Sequence, residues 1–248
     1  MLSPGHVSLV TGAALGIGAG IADLFAQHGA RVYVLDIDIP KAEAKAAEIN
    51  AAGGTAHAMK CDVSVRSDVE AVVSDALSRY GQIDSLINNA GIYPRRMFLE
   101  TTEADWDRMQ AVNVKSLLHT CQLVLPHMIA RRSGKIVNIS SVTVWIGVEK
   151  LVYYVTSKGA VLGLTRSLAR EVGRHNVHVN CVTPGAIKTE GEIVHANMDD
   201  IRAIQSQQCL DRRIVPYDVA AACLFLSSPL SDGMTGQTLN VDGGLYMH

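Results

Sequence analysis

Short runs dense in valine, isoleucine and leucine recur along the chain, each followed by a longer stretch with apolar positions at helical spacing. HVSLV (6–10), ARVYVLD (30–36), GTAHAMK (54–60), IDSLIN (83–88), GKIVNIS (134–140) and VHVNCV (177–182) read as strands, and TLNV (238–241) as a seventh, shorter one. Helical patterns lie near 17–28, 40–52, 66–80, 104–131, 153–173 and 217–227. Strands apolar on both faces suit a parallel sheet covered by helices on each side. Strict alternation of strand and helix predicts right-handed crossovers and a doubly wound α/β fold with a seven-stranded parallel sheet. The alternation runs throughout, so one domain is expected over 1–248. The polar segment 186–212 breaks the pattern after a Pro-Gly and is expected to be a substrate loop.

Composition narrows the field of functions. The 248 residues are 48% apolar and carry 22 basic against 24 acidic side chains. That balance, without a basic run, argues against a nucleic-acid partner. Cys61, Cys121, Cys181, Cys209 and Cys223 are scattered and never in CxxC spacing, which predicts a reducing, cytoplasmic setting without disulfides. The histidines include no HExxH, so no protein-bound metal is expected. Neither a signal leader nor an apolar run of membrane-spanning length is read.

Directly after the first strand comes TGAALGIG: Thr11, Gly12, Ala13, Ala14, Leu15, Gly16, Ile17, Gly18. Strand, glycine-rich turn and helix together form the setting in which a Rossmann-type phosphate cradle works. Glycine lets the backbone approach a pyrophosphate, and the helix start offers N–H groups and partial positive charge. Asp36 ends the second strand, where a carboxylate can accept hydrogen bonds from a ribose and repel a 2′-phosphate. No basic residue stands at 13–15 or 37–38, so NAD is predicted over NADP. By position, Asp62 and Val63 are expected at the adenine. Asn88-Asn89-Ala90-Gly91 puts small residues after the fourth strand, and its asparagines can bridge strand ends.

Tyr154 and Lys158 are four residues apart and share a helical face, whereas Tyr153 is rotated away. A cation beside a phenol lowers its pKa and fits it for proton exchange. Such a proton partner is needed when a hydride leaves an alcohol carbon for a nicotinamide. GKIVNISS ends in Ser140-Ser141, and a hydroxyl at the carboxyl end of a strand can bind the substrate oxygen. Asn113, inside a long helical pattern, is a poor helix former; helix bending or water binding would account for it.

These pieces together resemble the short-chain dehydrogenase/reductase family across nearly the whole chain. TGAALGIG is similar to its TGxxxGxG, NNAG to its NNAG, YVTSK to its YxxxK, and Pro184-Gly185 to the PG after its sixth strand. The resemblance implies that Tyr154 is the acid/base and that Lys158 lowers its pKa and binds the nicotinamide ribose. It selects Ser141 over Ser140, assigns Asn113 a water in a proton relay, and puts Ile187 and Thr189 at the carboxamide. It also implies a homotetramer, with the helices near 104–131 and 153–173 pairing across subunits and the C-terminal segment near Gly243-Gly244 packing in another interface.

The expected pocket draws on Ile92, Tyr93 and Pro94, on Thr143, Trp145 and Val148, and on the 186–212 loop. Tyr93 and Trp145 would give it an aromatic wall, although packing explains Trp145 equally well. NNAGIYP and TLNVDGGLYMH resemble stretches of members that oxidise 1-phenylethanol. TPGAIKTEG and TGQTLNVDGG resemble stretches of members that oxidise the alcohol of pyridoxal. The expected substrate is a secondary or aromatic alcohol, or a sugar-type polyol, or the matching carbonyl. The alternatives are an NADP(H)-dependent 3-oxoacyl-(acyl-carrier-protein) reductase, for which Arg95-Arg96 is a thin docking patch, and a cofactor-sensing protein without chemistry.

Overall fold

Every residue of the first strand, β1 (Val7–Thr11), is buried, as an interior strand covered on both faces must be. The computed structural model describes residues 2–189 and 198–247. It joins β1 to β2 (Arg31–Asp36), β3 (Thr55–Lys60), β4 (Ser85–Asn88), β5 (Gly134–Ile139), β6 (Val177–Pro184) and β7 (Thr238–Val241). All pairings are parallel, in the order β3-β2-β1-β4-β5-β6-β7. The predicted doubly wound, seven-stranded parallel sheet is thus the observed one. The order reverses between β1 and β4, and that crevice, at the carboxyl ends of the strands, is where this topology takes ligands.

Two apolar cores flank the sheet, and the period of two along each strand divides residues between them. Val32 and Val34 join α1 (Gly16–Gln27), α2 (Ile39–Ala51) and α9 (Pro216–Leu226) on one face. Tyr33 and Leu35 join α3 (Arg66–Tyr80), α5 (Ser116–Arg131) and α7 (Val152–Val172) on the other.

Two expectations need correction. The single helical pattern near 104–131 is divided: α4 (Glu103–Gln110) passes into a π-helical turn, Ala111–Lys115, before α5 begins. The widened turn carries Asn113 and places its side chain, buried, against the chain after β4. The segment 186–212 is also not an extended loop throughout. Ile187 bridges Ile214 in parallel, and Met198–Gln205 forms a helix, α8. Its stretch 190–197 lies outside the described residues. A short helix, α6 (Thr143–Ile146), follows β5. Among the described residues no helix is long and apolar enough to cross a membrane.

Candidate active site

The glycine turn is held from the β4 side. Asn89 Nδ2 donates to the Thr11 and Gly12 carbonyls at 2.9 Å each. Thr11 Oγ1 accepts the Asn89 and Ala90 N–H groups, both at 3.0 Å. Gly12 has φ +61°, and a Cβ built there would lie 2.9 Å from Ala90 Cα. Both the left-handed backbone and the close approach therefore require glycine. Asn89, expected at the cofactor, also fastens the turn that would hold it.

The residues fit a nicotinamide dinucleotide. α1 starts at Gly16, and Leu15 at its N-cap makes no side-chain cap, so Gly16, Ile17 and Gly18 present the positive helix end. Asp36 closes β2 beside them. Its carboxylate accepts the Ala14 N–H at 3.1 Å and the Asp38 N–H at 3.1 Å. Asp62 is turned onto its own loop, taking Ser64 N–H at 2.9 Å and Ser64 Oγ at 2.6 Å. Val63 is buried, with its carbonyl 3.1 Å from His119 Nδ1. Val142 N–H donates to the Pro184 carbonyl at 3.0 Å, linking the Pro184-Gly185 turn to the end of β5. Ile187 is buried, and Thr189 faces Gly16, its Cγ2 3.4 Å from a Cβ built there. A cleft of about 550 Å³ between α1 and α2 is lined by Leu15, Gly16 and Thr189 among others, and includes none of Ser141, Tyr154 or Lys158.

At the ends of β4 and β5 the four expected reactive side chains come together. Asn113 Nδ2 donates to the Ile92 carbonyl at 2.9 Å and to Ser157 Oγ at 3.0 Å, and its Oδ1 accepts the Ile92 N–H at 2.9 Å. Ser157 Oγ in turn donates to the Tyr154 carbonyl at 2.7 Å. Ser157 was not singled out from sequence, although it sits three residues after Tyr154 on the same helix. Ser141 Oγ accepts both the Thr143 N–H at 3.2 Å and the Thr143 hydroxyl at 2.9 Å. With its acceptor sites so engaged, its own proton is left to turn toward Tyr154, whose pKa the Ser141 hydroxyl lowers. Ser140 donates instead to the Lys158 carbonyl at 2.8 Å and is a link between β5 and α7.

Lys158 Nζ lies 5.8 Å from the Tyr154 ring centroid, on the same helical face. Its hydrogen bond goes to the Ile139 carbonyl at 2.8 Å. Burial pulls the ammonium pKa down to about 8. The phenol departs from expectation: burial pushes Tyr154 up to about 12, and the Ser141 hydroxyl offsets this only in part. Lys158 is spent on a backbone oxygen, so desolvation dominates the tyrosine in the protein by itself. Tyr153 is buried, and its hydroxyl donates to the Pro94 carbonyl at 2.8 Å. It pins the 92–96 segment and takes no part in the reactive cluster.

Aromatic rings flank this centre. Tyr93 meets Tyr154 edge-on with centroids 6.1 Å apart. Trp145 stacks on Tyr246 and also packs against the small core of Leu117, Val161, Leu162 and Cys181. Beneath the site runs a buried polar ladder that sequence reasoning reached only as a bridge between strand ends. Thr120 Oγ1 donates to Asn88 Oδ1 at 2.8 Å, Asn88 Nδ2 to Asn138 Oδ1 at 2.8 Å, and Asn138 Nδ2 to Thr165 Oγ1 at 2.9 Å. It ties α5, β4, β5 and α7 together under the reactive side chains.

Comparison with known proteins shows the family and the fold. Residues 12–246 match the family model described as enoyl-(acyl carrier protein) reductase. The chain is 38% identical over 97% of its length to a 3-oxoacyl-(acyl-carrier-protein) reductase of Chlamydia pneumoniae, covering 97% of that protein. It is 37% identical to a probable galactose dehydrogenase of Rhizobium meliloti, covering 96% of this chain and 94% of that one. The crystal structure of a 3-oxoacyl-(acyl-carrier protein) reductase from Brucella melitensis superposes with a TM-score of 0.93 at 32% identity, over 99% of this chain and 92% of that chain.

Proposed function

The chain belongs to the short-chain dehydrogenase/reductase family, an oxidoreductase family that uses nicotinamide cofactors on CH–OH groups, and on that premise we propose its cofactor, substrate class and residue roles. It is an NAD-dependent enzyme acting on a secondary or aromatic alcohol, or a sugar-type polyol, and on the matching carbonyl. The observation that carries this reading is the gathering of Asn113, Ser141, Tyr154 and buried Lys158 at the carboxyl ends of β4 and β5, with Lys158 Nζ 5.8 Å from the Tyr154 ring centroid.

When bound, the nicotinamide supplies the hydride acceptor or donor. Gly12, Leu15, Gly16, Ile17 and Gly18 hold the phosphates, Asp36 the adenosine ribose, and Asp62 and Val63 the adenine. Asn89, Ala90, Gly91, Pro184, Gly185, Ile187 and Thr189 line the rest of the cofactor groove. Ser141 and Tyr154 grip the substrate oxygen, and Tyr154 exchanges its proton. Lysine has three donors; one is on Ile139, leaving two for a ribose hydroxyl and for holding charge beside Tyr154. Asn113 holds a water that passes protons onward. The preference for NAD rests on the Asp36 carboxylate, whose charge opposes a 2′-phosphate. The sugar dehydrogenases among the relatives support the polyol side of the substrate class. We further propose a cytoplasmic homotetramer, built on the outward faces of α5 and α7 where Leu118 and Val152 are exposed.

A second reading, NADP-dependent reduction of acyl-carrier thioesters, draws on the names of the relatives and the solved structure. Of the two arginines it would use, Arg96 already pairs with Asp105 at 3.4 Å. A spectrophotometric screen of alcohols, sugars and 3-oxoacyl thioesters, with NAD and NADP in parallel, separates the two. Turnover of alcohols or sugars with NAD is expected; thioester reduction with NADPH alone overturns the proposal. Nucleotide binding with turnovers untouched by Tyr154→Phe would instead favour a cofactor sensor.

A further inference from the structure

After β7 the chain folds back as a hook. Gly243 and Gly244 both take positive φ, 70° and 80°. Buried Asp242 accepts the Gly244 N–H at 3.0 Å and the Tyr246 N–H at 2.9 Å. Asn240 Nδ2 donates to the Tyr246 carbonyl at 3.1 Å. The hook touches the site from two directions. Asp242 packs on the Pro184-Gly185 turn so closely that a Cβ on Gly185 would lie 2.8 Å from Asp242 Cβ. The Gly243 carbonyl accepts the N–H groups of Cys209 at 2.9 Å and Leu210 at 3.0 Å, and Gln208 Nε2 reaches the Asp242 carbonyl at 3.0 Å. So fixed, Tyr246 lays its ring parallel to the Trp145 indole, with centroids 5.9 Å apart and planes 5° apart. Trp145 stands on α6, the helix whose Thr143 orients Ser141.

We propose that Tyr246 is a positioning residue for substrate choice: its stack holds the Trp145 indole as a rigid flat wall next to Ser141, selecting alcohols with an aromatic group on the carbinol carbon. This rests on the alcohol reading above and narrows it. An offset stack gains energy beyond its burial, and a wall fixed in advance spares a ligand the entropy of ordering it. A flexible aliphatic chain gains little from such a plane.

The test uses the full chain with 1-phenylethanol and 2-butanol as probes. Tyr246→Ala is expected to raise KM for 1-phenylethanol about tenfold with kcat within about twofold. KM for 2-butanol and the Kd for NADH stay at wild-type values. Tyr246→Phe, which keeps the stack, restores wild-type KM, and Trp145→Ala combined with Tyr246→Ala loses no more than Trp145→Ala by itself. If Tyr246→Ala does not fold, Tyr246→Leu, which keeps bulk and removes the stack, carries the same expectation. Equal loss on both alcohols, or no loss in the non-aromatic variants, overturns the inference while the alcohol reading stands. A wild-type protein that turns over neither alcohol overturns this inference; one that turns over no alcohol or sugar in the wider screen overturns the reading as well.

Discussion

Lys158 Nζ donates to the Ile139 carbonyl at 2.8 Å, which anchors the ammonium to the end of β5 independently of any ligand. The same burial depresses its pKa from 10.5 to about 8. Between those values the unfolded chain holds the proton more tightly than the folded one, so stability rises with pH across that window. Below pH 8 the whole penalty is present, on the order of 3 kcal/mol. Tyr154 acts oppositely: its pKa is raised from 10.0 to about 12, so its stabilising effect is present below pH 10 and is lost as pH climbs toward 12. Urea unfolding of the cofactor-free protein is expected to show stability climbing from pH 8 to 10, and Lys158→Met is expected to remove the climb. Identical profiles in the two proteins would contradict the assignment.

Thr143 gives both its N–H and its hydroxyl to Ser141 Oγ. Removing the hydroxyl frees an acceptor site on Ser141 and loosens the orientation of its own proton. Thr143→Ala is therefore expected to lower kcat about tenfold with little change in KM, and Thr143→Ser to recover most of it. Ser141→Ala and Tyr154→Phe, which remove groups that touch the substrate, are expected to cost about 10²–10⁴ in kcat.

The Asp36 carboxylate is held by the Ala14 and Asp38 N–H groups, so its charge stays in place at the end of β2. Asp36→Ala is expected to lower kcat/KM with NAD and raise it with NADP, shifting the ratio about 10²-fold. Steady-state kinetics with both nucleotides measures this, and an unchanged ratio would remove Asp36 as the discriminator.

The ladder Thr120–Asn88–Asn138–Thr165 is buried throughout. Asn138→Leu leaves Asn88 and Thr165 without their partner in the interior. A loss of about 2–4 kcal/mol in denaturant unfolding is expected. Asn88→Leu with Asn138→Leu should cost less than the sum of the two single changes, because the pair fails together.

The sheet was readable because its strands are apolar on both faces and its helices on one, a contrast that survives in single residues such as Val32 and Tyr33 on opposite sides of β2. Tyr154 and Lys158 were readable from helical spacing, and Ser141 from resemblance joined to its place at a strand end. The π turn at Ala111–Lys115 was not, because its residues match helical periodicity equally well and only the backbone shows the extra width. The lysine's true hydrogen-bond partner also escaped, since Ile139 offers only a carbonyl and carries no side-chain signal. Tyr246 lay hidden for a related reason: GGLYMH has no periodicity, and its placement depends on two left-handed glycines and on Asp242.

A π turn is an α-helical turn holding one residue more than its neighbours. Deleting one residue of 111–115 would close the widened turn into a regular helix while α4 and α5 keep their present faces. α5 would stay packed on the sheet through Cys121, Val124 and Met128, and the loss would fall on the turn itself, which would no longer carry Asn113 out to Ile92 and Ser157. The chain's length at this point is thus as constrained as any side chain in the site: Asn113 tolerates no change in residue count around it, whichever residue is lost.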